Sequence, residues 1–373
     1  MTTMVSFEQT FCDSSRLPAV VALIPAHNEE DLVEQSLRSL LTQSSVNLIK
    51  VILVADNCTD NTLQIARRLE GEFPNLEVIE SRQNQSGKSG AMNQAFRHLQ
   101  YSGVKYVLQM DADTILNEDA LVRAIKDLES DDNLGGVCAR FRIIPPENEG
   151  FVRKLLWRLQ NIEYGLRDVQ TIQSFGKDTS LLSGRASVLR LEALVKILEI
   201  RGYIWDVQSE VEDHELTLAL KKIGWKTAVS MKMLAATSIP ESMGELLKQR
   251  VRWYRGTIRL LKQEKFSKHT RKDTLSLLSL FFWLPIRVSF LVWIALLIAG
   301  IADYQFNLIF AGLTIVLWLI QMAKLQYVPD RDKWQTIFAA SLVPYELYAT
   351  MRDLILLASS VLGFLPSNQS KRN

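Results

Sequence analysis

Two aspartates separated by one residue, Asp111 and Asp113, follow the apolar run VKYVLQM. Residues two apart on an extended chain point to the same side, so the two carboxylates repel each other unless a cation joins them. A hard divalent ion, Mg²⁺ or Mn²⁺, prefers oxygen ligands and can bridge such carboxylates to a diphosphate. The pair therefore indicates a metal-assisted diphosphate site, although an isolated D-x-D is equally well explained by a capped turn.

A second acidic cluster, EVEDHE, runs from Glu210 to Glu215 ahead of the helical stretch LTLALKKIGWK. Acids at the start of a helix are stabilised by the helix dipole, which explains the cluster without any chemistry. The alternative is that one of these carboxylates is a general base that accepts a proton from a hydroxyl nucleophile. We expect the neighbouring His214 to be incidental.

The motif QRVRW, from Gln249 to Trp253, opens a stretch from Lys248 to Lys272 that contains ten basic residues and one acid. An arginine fork matches a phosphate, and a tryptophan offers a flat face on which a sugar ring can stack. A membrane-surface helix with snorkelling arginines and an interfacial tryptophan explains the same residues. The two interpretations are compatible.

The segment SGKS, from Ser86 to Ser89, suggests a P-loop at first sight. The P-loop pattern requires glycine at position 82, where this chain has Arg82. A backbone phosphate cradle is therefore excluded, and Lys88 is left to reach an anion as a side-chain charge.

Four short apolar runs, AVVALIPA, LIKVILVAD, LEVIES and VKYVLQMD, predict buried strands. Helical periodicity begins near Glu29, Thr62 and Gly90. This alternation predicts an α/β fold, a mostly parallel sheet with helices on both faces, in which ligands bind beyond the carboxyl ends of the strands. The residues at those four ends are Pro25 to Glu30, Asp56 to Asp60, Ser81 and Arg82, and Asp111 to Asp113.

The composition of the 373 residues, 47% hydrophobic and 23% charged with 43 basic and 41 acidic side chains, excludes a disordered tail, a collagen and a supercharged nucleic-acid binder. Three scattered cysteines favour a reducing compartment over a disulfide framework. The first 18 residues have neither a basic start nor an apolar run. We therefore expect no signal peptide and a cytoplasmic start.

Long apolar runs lie mostly after residue 274. The stretches 275–302, with a single charge at Arg287, and 306–323, with none, are long enough to span a bilayer. Because Pro285 precedes that charge, an interfacial half ending near Leu284 followed by a short spanning half is the alternative for the first stretch. The stretch 336–365 carries Glu346, Arg352 and Asp353, and is expected to be interfacial, transmembrane or packed on the other helices.

Basic residues before residue 273, near 330 and at the C-terminus place all three regions in the cytoplasm by the positive-inside rule. The predicted organisation is an N-terminal tail (1–17), a catalytic domain (18–247), a basic interfacial segment (248–273), a membrane region (274–365) and a cytoplasmic tail (366–373). The expected location is the inner membrane, multi-pass, with the catalytic domain in the cytoplasm.

Asp56, Asp111-Ala112-Asp113, Glu212-Asp213 and Gln249-x-x-Arg252-Trp253 occur in the order and rough spacing of the family 2 inverting glycosyltransferases with a GT-A, Rossmann-like fold. The chain most resembles their membrane-integrated branch, which contains the hyaluronan, chitin, cellulose and poly-N-acetylglucosamine synthases. The resemblance covers roughly residues 18–260 and includes Gly87 to Asn93 and Leu182-Ser183-Gly184.

The resemblance implies transfer of a sugar from a UDP-sugar to a carbohydrate or lipid hydroxyl, with inversion to a β-linked product. It implies Mg²⁺ or Mn²⁺ as cofactor, bound by Asp113, and Asp213 as catalytic base with Glu212 beside it. The implied nucleotide-sugar ligands are Pro25, His27, Asn28, Glu29, Asp56, Lys88, Asp111 and Arg252. The implied acceptor ligands are Gln249, Trp253 and Gly184.

Some features depart from the synthases. Val211 precedes Glu212 where many synthases have threonine, and two or three membrane segments are few for a polymer channel. A partner subunit or self-association could complete such a channel, and transfer of a single sugar to a membrane lipid is the alternative. A nucleotidyltransferase and a catalytically silent membrane scaffold are the remaining classes, both disfavoured by the intact charged motifs.

Overall fold

The computed structural model describes residues 17–99, 103–146, 150–301 and 331–364, together with isolated positions between 312 and 328. Its described strands form one eight-stranded sheet in the order β3-β2-β1-β4-β7-β6-β8-β5. The strands are β1 Ala19–Ala26, β2 Asn47–Ala55, β3 Leu76–Glu80, β4 Val104–Met110, β5 Thr114–Leu116, β6 Leu134–Ile143, β7 Ala186–Arg190 and β8 Lys226–Thr237. Strands β1 to β4 run parallel, β7 is antiparallel to both of its neighbours, and β5 is antiparallel to β8.

The part of the chain before β8 contributes helices α1 Val33–Leu41, α2 Thr62–Glu72, α3 Gly87–His98, α4 Ala120–Ser130, α5 Phe151–Gln173, α6 Leu191–Arg201 and α7 Glu212–Lys222. After β8 follow α8 Met243–Glu264, α9 Arg271–Ile298, α10 Lys333–Ser341 and α11 Val343–Phe364.

Helices cover both faces of the sheet because successive side chains of a buried strand point to opposite faces. In β1, Val20, Ala22 and Ile24 join the core beneath α1, α2 and α4. Val21 and Leu23 join the opposite core with α3, α6 and α7. The predicted α/β fold with a mostly parallel sheet is therefore confirmed, and the four predicted strands lie where the apolar runs placed them.

Two helices begin away from their predicted starts. Helix α1 begins at Val33 rather than near Glu29, and the backbone N–H groups of Glu29 and Glu30 donate to the side chains of Thr62 and Asp60. Helix α3 begins at Gly87 rather than Gly90. Gly90 lies inside the helix, where a Cβ would stand only 2.0 Å from Asn84 Oδ1.

Helix α9 is a single 28-residue helix that runs through Pro285, so the chain does not divide into two halves near Leu284. By length and composition it is the one helix, within the parts of the chain that the structure describes, that could cross a membrane. Its Arg287 pairs with Glu346, at 3.1 Å, and with Asp353. These pairs offset the cost of a charge in an apolar helix.

The C-terminal stretch predicted over 336–365 forms two helices, α10 and α11, which meet at Leu342 in a left-handed conformation. Tyr345, Tyr348 and Ala349 of α11 are buried in a third core shared with α5 and α8. Helix α11 thus packs directly onto the helix that carries the QRVRW motif. The predicted span over 306–323 lies outside the continuously described residues.

Candidate active site

One cavity of about 870 Å³ lies beyond the carboxyl ends of the strands, bordered by α7, α8 and the start of α9. The predicted site residues among its lining are Lys88, Asp111, Asp113, Gly184, Glu212, Asp213, Gln249, Arg252 and Trp253. The D-x-D pair, the acids of α7 and the tryptophan of α8 are far apart in sequence. The fold therefore gathers three of the predicted motifs around one space, which we call the central pocket.

The residues predicted to hold the uridine lie at the same sheet edge but outside the lining of the central pocket. Asp56 is almost fully buried at the end of β2, where its Oδ1 accepts a hydrogen bond from Ser81 Oγ at 2.6 Å. His27 Nδ1 lies 2.6 Å from the Asp56 carbonyl oxygen, and Asn28 Oδ1 accepts from Thr59 N at 2.8 Å. The ends of β1 and β2, with Pro25 as the penultimate residue of β1, are thus tied together beside the pocket.

Two acidic side chains near the pocket, Glu29 and Asp111, are not fully balanced by positive charges. Burial, together with the charges of Asp113, Asp111 and Asp60, raises the pKa of Glu29 to about 8. Burial also raises the pKa of Asp111 to about 6, although the Lys88 ammonium opposes that shift. Carboxylates in this state favour a bound cation, because a nearby positive charge lowers the cost of ionising them.

Lys88 is the cation at the centre of the site. Its Nζ lies 2.6 Å from Asp111 Oδ1 and 3.4 Å from Glu212 Oε1, and these carboxylates raise its pKa against the effect of burial. A Cβ at Gly184 would stand 2.7 Å from that ammonium, so glycine leaves room for the lysine. Lys88 acts as a side-chain charge, as the failed P-loop pattern implied.

Asp113 is the acid predicted to bind the metal. Its Oδ2 accepts from Ser238 Oγ at 2.6 Å, and in the described residues no ammonium or guanidinium lies within ion-pair distance of it. The same described residues contain no group of three or more histidine, cysteine or acidic side chains that could hold a metal by themselves. A Mg²⁺-type ion usually takes one or two carboxylates and completes its shell with phosphate and water. Asp113 beside Asp111 fits that donor set.

Asp213 lies in the first turn of α7 and faces the pocket. Its Oδ2 accepts from Gly184 N at 3.2 Å, and its Oδ1 accepts from the backbone N–H of His214 at 2.8 Å. Two backbone donors therefore fix the orientation of the carboxylate. The helix-start interpretation and the general-base interpretation are both compatible with this position.

His214 was expected to be incidental, but the structure gives it a defined partner. The ring is buried, and its Nε2 lies 3.3 Å from Asp273 Oδ2 in the first turn of α9. The contact joins the helix that carries Asp213 to the long apolar helix. Sequence reasoning missed it because the two residues are 59 positions apart.

Trp253 lies on α8 between two guanidinium groups. The Cζ atoms of Arg250 and Arg185 lie 5.0 Å and 5.9 Å from the centre of the indole ring. Arg252 is exposed at the pocket, whereas Arg250 is fully buried. The basic segment therefore contains a buried structural arginine as well as solvated ones.

Two contacts hold α8 against the acidic loop before α7. Glu210 accepts from Arg255 Nε and Nη2 at 2.9 and 2.6 Å, and Arg259 Nη1 lies 3.3 Å from the same carboxylate. A Cβ at Gly256 would stand 2.9 Å from Val211, so glycine permits this close approach. The distance between the acids of α7 and Trp253 is thereby fixed.

Glu163 of α5, which sequence reasoning did not single out, is the centre of a buried charge cluster. Its carboxylate receives Arg250 at 2.9 Å, Arg352 at 2.8 Å and Arg167 at 2.8 Å, as well as the Tyr348 hydroxyl at 2.6 Å. Burial alone would raise the pKa of Glu163, but the three guanidinium groups outweigh it and lower the pKa. The cluster joins α5, α8 and α11 directly behind Trp253.

Comparison with known proteins finds one family model and several similar proteins. Residues 21–198, just under half of the chain, match the family model described as glycosyl transferase family 2. A poly-β-1,6-N-acetyl-D-glucosamine synthase of Staphylococcus aureus is 28% identical over 255 residues, which cover 67% of this chain and 57% of that enzyme. The chain thus spans little more than half the length of that relative. The Staphylococcus epidermidis synthase is 27% identical over 307 residues, covering 79% of this chain and 69% of the enzyme.

A solved structure resembles nearly the whole chain. It is a mannosyltransferase from Pyrobaculum calidifontis in complex with GDP-mannose and Mn²⁺. The two chains superpose with a TM-score of 0.60 at 20% sequence identity, over 94% of this chain and 88% of the other. At this identity the likeness concerns the fold, which is of the GT-A type.

Proposed function

We infer that this chain, whose residues 21–198 form a family 2 glycosyltransferase domain, moves a sugar from a UDP-sugar to a hydroxyl acceptor with inversion at the anomeric carbon. The family match favours this function over a nucleotidyltransferase or an inactive scaffold. The observation that carries the proposal is that Asp113, Asp213 and Trp253, from three separate elements, line one central pocket.

In this reaction Asp213 is the general base. The acceptor hydroxyl oxygen attacks the anomeric carbon and its proton passes to the Asp213 carboxylate, while the bond from that carbon to the diphosphate oxygen breaks and UDP leaves. The two backbone N–H groups that fix Asp213 keep its carboxylate aimed into the pocket. A single in-line attack converts an α-linked donor into a β-linked product.

The donor is held by the sheet edge. Asp56, with His27, Asn28 and Glu29 beside it, is proposed to bind the uridine, while Lys88 and Asp111 lie along the nucleotide. Asp113 would hold Mg²⁺ or Mn²⁺, which when bound neutralises charge on the leaving diphosphate. The poorly compensated acids around Asp113 support a cation at this place.

The acceptor is proposed to stack on Trp253, with Gln249 and Gly184 near it and Arg252 bracing the leaving diphosphate. The relatives named as poly-β-1,6-N-acetyl-D-glucosamine synthases favour a carbohydrate acceptor and polysaccharide synthesis. A lipid acceptor is the second candidate. It is favoured by the continuation of the pocket to Leu277 of the apolar helix α9 and Leu356 of α11.

Membrane attachment is part of the proposal. The length and apolar character of α9 support its insertion in the inner membrane, with the catalytic domain on the cytoplasmic side. Membrane lipids are therefore among the proposed partners. A partner subunit or self-association would complete the channel for a polymer. No nucleic acid is expected among the partners.

The direct experiment incubates detergent-solubilised protein with a panel of radiolabelled UDP-sugars, with Mn²⁺, with Mg²⁺ or with EDTA. We expect label transfer from one donor, dependent on the divalent ion, and product sizing then separates a polymer from a single transfer. Unchanged turnover in EDTA would contradict the metal role of Asp113. Failure with every UDP-sugar would contradict the proposed donor class.

A further inference from the structure

Arg185, next to Gly184, has an unusual environment for a charged side chain. Its guanidinium carbon lies 5.1 Å from the ring centre of Tyr164, 5.2 Å from that of Phe141 and 5.9 Å from that of Trp253. Three aromatic rings therefore surround one cation. Its Nη2 also donates to the Tyr164 hydroxyl at 2.7 Å.

Arg185 also lacks, among the described residues, the acidic partner that several cations in and near the pocket have, and it shares this lack with the exposed Lys248 and Arg252 of the pocket lining. Lys88 pairs with Asp111, Arg250 with Glu163 and Arg255 with Glu210. No carboxylate of the described part of the chain lies within ion-pair distance of Arg185, although its side chain lines the central pocket. Cation–aromatic contacts hold a guanidinium in place without neutralising it. A full positive charge is thus left facing the cavity.

The position of Arg185 places this charge beside the D-x-D pair. Its carbonyl oxygen accepts from the backbone N–H of Asp111 at 2.9 Å, so the side chain starts next to the metal-binding acids and reaches to Trp253. A diphosphate held at Asp113 through a divalent cation would therefore also lie near the Arg185 guanidinium. The planar fork of an arginine matches the oxygens of a phosphate.

We propose that Arg185 binds the diphosphate of the donor and stabilises it as it leaves with UDP. This inference rests on the proposed function and adds a diphosphate ligand that the sequence motifs did not indicate. The aromatic rings fix the guanidinium before the donor arrives, so little side-chain entropy is lost when the phosphate oxygens bind.

The test compares equilibrium binding of UDP and of uridine, with Mn²⁺, to the full chain and to Arg185→Gln. Loss of charge-assisted hydrogen bonds should weaken UDP binding about 10- to 100-fold. Uridine has no phosphate, so its affinity should stay within about twofold. Arg185→Lys keeps the charge but loses the fork and should give an intermediate loss of UDP affinity.

Arg38→Gln is the matched control, because Arg38 lies 5.7 Å from the Phe73 ring centre but is not part of the pocket lining. We expect wild-type UDP affinity in this variant. If Arg185→Gln and Arg185→Lys both bind UDP as the wild type does, or if uridine affinity falls equally, the inference is wrong while the proposed function stands. If the wild type itself binds no UDP in the presence of Mn²⁺, the proposed function fails, and the inference fails with it.

Discussion

The two sides of the central pocket use acidic side chains in opposite ways. On the sheet side, burial and the charges of Asp113 and Asp111 raise the pKa of Glu29, and burial raises the pKa of Asp111 although Lys88 opposes that shift. On the helical side, Glu163 is surrounded by three guanidinium groups and a hydroxyl. The first arrangement leaves carboxylates that a bound cation can stabilise, whereas in the second the single carboxylate is fully paired and positive charge is in excess.

We infer from this difference that the sheet side binds ligands, whereas the helical side holds the helix of Trp253 in position. Incompletely paired charge at the strand ends costs stability, and the proposed binding of a cation and a diphosphate would offset that cost. In the Glu163 cluster the carboxylate is fully paired with groups of the protein, and it ties α5 and α11 to the helix that carries Trp253. Both sides contain buried charges, and we expect the side whose carboxylates are incompletely paired to contact the donor.

Replacing Glu163 should give the largest effect on stability. In Glu163→Gln, Arg250 and Arg352 keep their charges but lose their shared carboxylate. Breaking a buried pair by removing one partner costs about 3–5 kcal/mol. Denaturant unfolding of the solubilised protein measures this loss.

Glu34→Gln is the matched control for that experiment. Glu34 also has two arginine partners, Arg38 and Arg68, but all three side chains are well exposed. Exposed pairs contribute little, so we expect a nearly unchanged unfolding midpoint. Equal loss in the two variants would remove the distinction between a buried cluster and surface pairs.

Asp213→Asn should lower the rate of sugar transfer by about 10²-fold or more, the usual scale of general-base catalysis. UDP binding should be retained, because the backbone donors to residue 213 do not depend on its charge. Transfer rate and UDP affinity are measured on the same preparation. The exposed Asp132→Asn provides the control, and normal turnover in Asp213→Asn would place the base elsewhere.

Trp253→Ala should raise the KM for the acceptor about 2- to 10-fold through loss of stacking, while UDP affinity stays the same. Trp334 of α10, which is half exposed outside the pocket lining, gives the control variant Trp334→Ala. Equal weakening of donor and acceptor in Trp253→Ala would argue against a stacking role.

The last predicted effect is a pH dependence of stability due to Glu29. Its pKa is raised in the folded protein to about 8, so between pH 5 and 8 the folded state holds a proton that the unfolded state has lost. Stability of the metal-free protein should therefore fall as pH rises, by about 1 kcal/mol per pH unit. Glu29→Gln should flatten this slope, and an unchanged slope would assign the titration to another group.

The sequence predicted the sheet side better than the helical side. Strands β1 to β4 follow from short apolar runs, and the acids at their ends follow from the rule that parallel strands end at one edge. Those signals are local. The family resemblance then supplied Asp213 and Trp253, which no local pattern could have assigned to the same pocket.

The helical side was not predicted, because its contacts join residues that lie far apart in the sequence. Glu163 is one acid in the amphipathic stretch LLWRLQNIEYGLRD, and its partners Arg250 and Arg352 lie 87 and 189 positions further along. The contact between His214 and Asp273 is likewise formed only in the fold. Arg185 belongs to no predicted motif, because the aromatic rings around it come together only in the fold.

The anomeric configuration of the product tests the central claim most directly. In the proposed reaction a base, a donor diphosphate and an acceptor lie in one pocket for a single in-line displacement. Proton NMR of the bond formed from an α-linked UDP-sugar should therefore show a β-linkage. An α-linked product would require a different path and would contradict the account.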